Sequence, residues 1–228
     1  MIKKVIDGFA YMLYPNHVAI VGYEPTIING CNKHVIPTLV DNKPVTKIDT
    51  HALAFSKLER IELPASITAI GNKAFFKSEV KEVVFYASPD YTCQFKLEVE
   101  ASAFKECVNL TLFDTQQFVT AGYLSFSYCP NLTHFGQHRN MQFECIHPDA
   151  FAYSGVEEIH LSNKGWLQAN ALNNSSVKKI WIKDAAKIPE KTLNHIKKKG
   201  IILVTNSFSP LMDLIYDGFL VEESQIVY

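Results

Sequence analysis

The sequence predicts a mostly β solenoid of about seven repeats of 21–29 residues, with one parallel sheet, an N-terminal β-hairpin cap and a C-terminal capping tail. Two observations carry this. The first is a frame in which an aliphatic anchor is followed four and five residues later by a small and then a large residue, as in Ile70-Gly-Asn-Lys-Ala-Phe75. The second is a strand-like run closing each unit, whose apolar residues Val80, Val83 and Phe85 fall 5, 8 and 10 residues after Phe75.

The frame recurs as Ile48/Ala52-Leu53, Ile70/Ala74-Phe75, Val99/Ala103-Phe104, Ala121/Ser125-Phe126, Ile146/Ala150-Phe151, Leu167/Ala171-Leu172 and Ile188/Thr192-Leu193. From Leu53 to Leu193 the spacings are 22, 29, 22, 25, 21 and 21 residues, a period that marks stacked repeats rather than one globular core. One strand and one turn cannot bury their own apolar edge. Stacking pairs successive strands side by side and piles the anchors into shared ladders. Alternation sends Leu58, Ile61 and Leu63 inward and leaves Arg60 and Glu62 outside.

Residues 1–35 read as the cap. Phe9–Leu13 and Val18–Val21 flank the turn-rich Tyr14-Pro-Asn-His17, the pattern of a hairpin that closes an exposed core end. Repeats then occupy 36–204. Two inserts lengthen the period, one around Ala87–Phe95 and one around Gln137–Asn140, and inserts in repeats map to loops on one rim. The tail, 205–228, differs in charge from what precedes it. Between Lys164 and Lys199 lie nine lysines and two acids, whereas the last 29 residues carry four acids and no base. Ser209–Tyr216 is therefore expected to dock as an amphipathic segment, with Leu211, Leu214 and Ile215 on the last repeat and Asp213, Asp217, Glu222 and Glu223 near its lysines.

The frame resembles the BspA-type leucine-rich repeat. Ile36-Pro-Thr-Leu-Val40-Asp-Asn-Lys-Pro-Val45-Thr-Lys-Ile48 matches its opening, Ile67-Thr-Ala-Ile70-Gly-Asn-Lys-Ala-Phe75 its middle and Ala103-Phe104-Lys-Glu-Cys107-Val-Asn-Leu110 its end. The resemblance implies an α/β-type leucine-rich-repeat solenoid over roughly residues 9 to 204 and a role in adhesion to host or matrix proteins or other bacteria. It also implies a secreted or cell-surface setting. The residues alone point elsewhere: Lys3-Lys4 is followed too soon by Asp7 and Gly8 for a signal peptide, and no run of 18 apolar residues occurs. As written, the chain is expected to be cytoplasmic with no membrane span, the cell surface being the alternative that the resemblance offers.

Composition narrows the function. The 228 residues are 47% hydrophobic with a net charge of -1, and only Arg60 and Arg139 among 22 basic residues are arginine, so nucleic acid is not an expected partner. Cys107 and Cys129 share one repeat position and are expected to stack in the core as thiols. Neither they nor Cys31, Cys93 and Cys145 form a Cys-x-x-Cys pair. His134 and His138 sit too far apart along a strand to share a metal ion, and the adjacent Glu157 and Glu158 point to opposite sides. No phosphate loop, His-Glu-x-x-His or Gly-x-Ser-x-Gly occurs. No catalytic residue, cofactor or metal site is expected.

What the frame does present is a face. Outward strand positions align Arg60, Glu82, His134, Glu158 and Lys179 in one column, Val84, His160 and Trp181 in the next, and Tyr86 in a third. Aromatic and charged side chains alternating over several strands suit a protein partner, with Trp181 as the sharpest anchor. The chain is thus expected to be a non-enzymatic protein-interaction module. The alternative is a carbohydrate or cell-wall ligand held by Tyr86, Trp181 and the insert loops.

Overall fold

The computed structural model describes residues 2–24, 33–86, 96–135, 141–182, 188–205 and 219–223. In chain order the elements are β1 (Ile2–Ile6), β2 (Phe9–Leu13), β3 (Val18–Tyr23), β4 (Lys33–Val35), β5 (Leu39–Val40), β6 (Lys43–Ile48), β7 (Arg60–Pro64), β8 (Ala69–Ile70) and β9 (Glu82–Tyr86). There follow β10 (Lys96–Val99), β11 (Leu112–Asp114), β12 (Phe118–Ala121), β13 (His134–Phe135), β14 (Phe143–Ile146), β15 (Glu158–Leu167), β16 (Lys179–Trp181), α1 (Glu190–Lys199), β17 (Ile202–Thr205) and β18 (Val221–Glu223).

These form a mostly β solenoid with one large sheet and little helix. β1, β2 and β3 make an antiparallel meander at the N-terminal end, and β3 hands over to a parallel run through β6, β8, β10, β12 and β14 to β15. The strands read from the frame, β7, β9, β11 and β13, form a second parallel ladder with β4 at its edge. Each repeat therefore contributes two strands where the sequence reading assigned one, because the anchors themselves lie on strands. β15 is long enough to join both ladders: Phe143 and Cys145 pair with its Leu161 and Trp166, while its Glu158 and His160 pair with Lys179 and Trp181 of β16.

Six turns follow six anchors, and they carry a ladder of their own. In each, the third and seventh residues past the anchor have positive φ, from His51 and Phe55 through Tyr128 and Tyr153 to Asn170 and Asn174. A side chain in that region is strained, so something must offset it. Here the alternating backbone aims N–H groups at the next coil: Leu53, Phe75 and Phe104 donate to the carbonyls of Ala74, Ala103 and Ser125 at 2.7–2.8 Å. The turns are thereby bonded coil to coil as the strands are.

Their large residues fill the core. Phe75, Phe104, Phe126 and Phe151 lie face to face, with centroids 4.7, 5.2 and 5.5 Å apart along the column. Phe113, Phe135 and Phe143 meet this column edge-on. Face stacking offset by edge contacts is the arrangement aromatic quadrupoles favour. Cys107 and Cys129 are buried free thiols beside it, donating to the carbonyls of Phe75 and Phe104 at 2.9 and 3.1 Å. The inward residues Leu58, Ile61 and Leu63 are buried as alternation requires.

The seventh frame breaks the pattern. Thr192 and Leu193 lie on α1, which buries Thr192 and Ile196, starts after Pro189 and ends at Gly200 in a left-handed cap. Thr192 and Ile196 are four apart, so their apolar spacing is helical, and the lysines of the last turn suit the negative end of the helix dipole. The small-then-large pair of this last frame thus lies on a helix where the six others lie in a turn.

Candidate protein-binding face

Register pairing aligns the first two outward columns where their strands are described. Arg60, Glu82, Leu112 and His134 are register partners across β7, β9, β11 and β13, and Glu62, Val84 and Asp114 form the adjoining column. The Glu157 N–H bonds to the Thr133 carbonyl at 2.9 Å and continues the stack to β15 and β16. With strands about 4.8 Å apart, β7 to β16 span roughly 24 Å.

The selected residues gather into two clusters. At the β7 end, the Arg60 guanidinium donates to Glu62 at 3.0 and 3.3 Å and also bonds to Glu82. The hydrogen bond to Glu62, and after it the carboxylate charges, raise the Arg60 pKa further. Val84 is half-buried beside this pair. Tyr86 turns away from a free role, since its hydroxyl donates to the Ile36 carbonyl and lies 3.5 Å from Thr38 Oγ1.

At the other end, Trp181 lies flat on His160, with ring centroids 5.0 Å apart and planes 6° from parallel. Its Nε1 donates to Glu158 Oε2 at 3.2 Å, and Lys179 Nζ donates to Glu222 at 2.8 Å. That hydrogen bond raises the Lys179 pKa and joins the lysine-rich end of the solenoid to the acidic tail. His134 is placed between the clusters by its backbone pairing with Leu112. Its side chain, His138, the segment Ser209–Tyr216 and both inserts lie outside the described residues, as do Cys31 and Cys93. Among the described residues no group of histidines, cysteines and carboxylates is arranged to hold a metal ion.

Sequence reasoning missed the exposed aromatics elsewhere. Phe55, Tyr128 and Tyr153 all stand seven residues past an anchor, at the positive-φ position that turns the side chain outward. Tyr128 and Tyr153 stack at 4.7 Å. Trp166, 46% exposed, projects from the ladder of anchor strands, where it pairs with Cys145 one residue before its anchor Leu167. The signal was present as a recurring offset from the anchors, but a single-strand reading gave these positions no outward face.

Comparison with protein families matches the BspA type leucine rich repeat region in six copies, over residues 26–94 and 92–199. The chain belongs to the BspA-type leucine-rich repeat family. Among solved structures it is similar to a leucine-rich cell surface protein of Faecalibacterium prausnitzii, with a TM-score of 0.61 and 19% identity over 82% of this chain. The match covers 50% of that protein, so this BspA-type chain spans half its length. A leucine-rich repeat protein from T. pallidum matches 86% of this chain and 95% of its own at 18% identity and a TM-score of 0.45. Comparison with curated proteins gives no match. At these identities the structural likeness speaks to the fold, and none of the described helices of the BspA-type solenoid is long and apolar enough to cross a membrane.

Proposed function

We propose that the chain is a non-enzymatic protein-interaction module that engages a protein partner through the outward face running from β7 to β16. The observation carrying this reading is the Trp181 cluster. A half-buried indole stacked on His160 and tied to Glu158 is held in one orientation before any partner arrives, so binding would immobilise little that is not already fixed. Large aromatics in such settings, ringed by charge, are where binding energy concentrates. One solved relative is described as a cell surface protein, and the adhesive role that the family resemblance implies would suit such a setting.

The test is capture from native and host extracts by the wild type and by a folded Trp181→Ala, Glu158→Ala, Lys179→Ala variant. A partner on the strand face is retained by the wild type and lost by the variant. Equal retention by both would move the interface to the rims. The hydroxyl of Tyr86 is already engaged by Ile36, which argues against that residue as a sugar ligand.

A further inference from the structure

The anchor strands have an outward face of their own, separate from the Trp181 face. One residue past the anchor, Glu100, Gly122 and His147 follow on successive coils, their N–H groups bonded to the carbonyls of Ile70, Val99 and Ala121 at 2.8–2.9 Å. Gly122 leaves a gap between two side chains. The coils approach so closely there that a Cβ would stand 2.7 Å from the Val99 oxygen. The result is a cleft of about 320 Å³, at the small end of ligand pockets, which run from about 300 Å³ upward.

Its walls mix polar side chains with the apolar surface of one aromatic and the small residues between them. Asn72, Glu98, Glu100, Thr120, Tyr123 and His147 line it, and Tyr123 is 51% exposed. Glu98 and Thr120 are register partners across β10 and β12. Glu100 is held in place, accepting from the Asn72 backbone N–H at 2.8 Å with Lys47 Nζ 3.9 Å away. Glu98 has no ion-pair partner among the described residues. Three classes of ligand fit this poorly. Two carboxylates repel an anion, Val99 and Ala101 give too little apolar wall for a greasy molecule, and Lys47, shared between Asp49 at 3.5 Å and Glu100 at 3.9 Å, places a positive charge beside any bound cation.

The geometry points to a neutral oligosaccharide as the ligand of this cleft. Carboxylates accept from neighbouring hydroxyls, the hydroxyl of Thr120 and the amide of Asn72 supply donors, and the Tyr123 ring offers a face to sugar C–H groups. The same sheet provides for a longer chain. Thr120, Cys145 and Trp166 are register partners on successive strands, so the exposed indole of Trp166 stands two strand steps, roughly 10 Å, from the cleft. A sugar chain lying along the solenoid axis would meet Tyr123 at one end and Trp166 at the other.

The experiment is an array of neutral, amino and acidic oligosaccharides probed with the full chain, followed by calorimetry on the best neutral hit. We expect saturable binding that weakens at least tenfold in Tyr123→Ala and in Glu98→Gln with the melting temperature unchanged. Trp166→Ala should weaken a tetrasaccharide and spare a disaccharide, and Trp181→Ala should change neither, which separates this site from the protein-binding face. The inference is overturned if no neutral sugar is retained, if only acidic sugars bind, if Tyr123→Ala binds normally, or if an oligolysine peptide occupies the cleft in place of sugar.

Discussion

Glu158 accepts its hydrogen bond from Trp181 across a diagonal of two paired strands, while its direct register partner is Lys179. The carboxylate therefore steers the indole without lying under it. A double-mutant cycle on Trp181→Phe and Glu158→Gln should give a coupling of about 0.5–1.5 kcal/mol in unfolding free energy. Trp181→Ala, which removes the ring itself, should weaken partner capture about thirtyfold or more, corresponding to about 2 kcal/mol. Additive single mutants would show that the bond does not hold the ring.

The phenylalanine column sets the stability of the middle coils. Phe126 is fully buried, stacked between Phe104 and Phe151 and met edge-on by Phe113 and Phe135. Phe126→Ala should cost about 3–5 kcal/mol. Phe55→Ala, on the exposed rim, should stay within about 0.5 kcal/mol. Urea unfolding of both variants, read by far-UV circular dichroism, makes the comparison.

Much of this column is legible in the sequence. Ala74-Phe75, Ala103-Phe104, Ser125-Phe126 and Ala150-Phe151 recur at a fixed offset from their anchors, and packing of identical positions is what a repeat must do. The second strand was not legible, because Ala69–Ile70 is two residues long and Lys96–Val99 only four, too short for an alternation to stand out. Arg60, Glu82 and Val84 could be aligned by counting, since their register follows the period. The contact between Trp181 and Glu158 is diagonal, and a column count returns only direct neighbours. The cleft at Gly122 escaped for a further reason: it depends on how closely two coils approach.

Thiol chemistry should divide the cysteines by depth. Burial pushes the Cys107 thiol up to about 11 and raises Cys129 well above its ordinary value; burial raises Cys145 as well, but its side chain is only half-buried and within reach of a reagent in water. In the background Cys31→Ser, Cys93→Ser, a thiol reagent at pH 8 should label one cysteine of the native protein rapidly and three after denaturation. Adding Cys145→Ser should abolish the rapid phase. Fast labelling that survives this substitution would mean that the core thiols are accessible.

Acid should weaken the fold through two histidines. Burial lowers the pKa of His34, which sits 3.2 Å from the Tyr23 hydroxyl, and burial followed by Lys199 and Lys198 lowers that of His195. A histidine depressed in the folded state takes up its proton more readily when unfolded. Its contribution is present above its unfolded pKa of about 6.5 and is lost as pH falls through the folded value. The urea midpoint should therefore drop between pH 7.5 and 5.5, and the drop should shrink in His34→Gln and in His195→Gln. A pH dependence untouched by both substitutions would assign the effect to other groups.

The C-terminal strand should act as an end cover. β18 pairs in parallel with β17, the Leu203 N–H bonds to the Leu220 carbonyl at 2.9 Å, and Lys197 sits 5.6 Å from the centre of the Phe219 ring. Deleting residues 209–228 should lower the melting temperature and promote association through the uncovered edge of β17. Light scattering and a thermal melt would show both effects, and an unchanged melt in a monodisperse sample would remove the cap from the account.

Because, among the described residues, each turn's backbone bonds to other coils run to a neighbouring one, the molecule keeps length in whole units. Inserting one more coil between Phe104 and Phe126 would extend both outward faces by a single strand step, about 4.8 Å, while each neighbour kept its own contacts. Reach along the axis and chemistry at any point on it are thus separately adjustable. The solenoid works as a graduated rod, on which a recognition group can be set nearer to or farther from another without redesigning either.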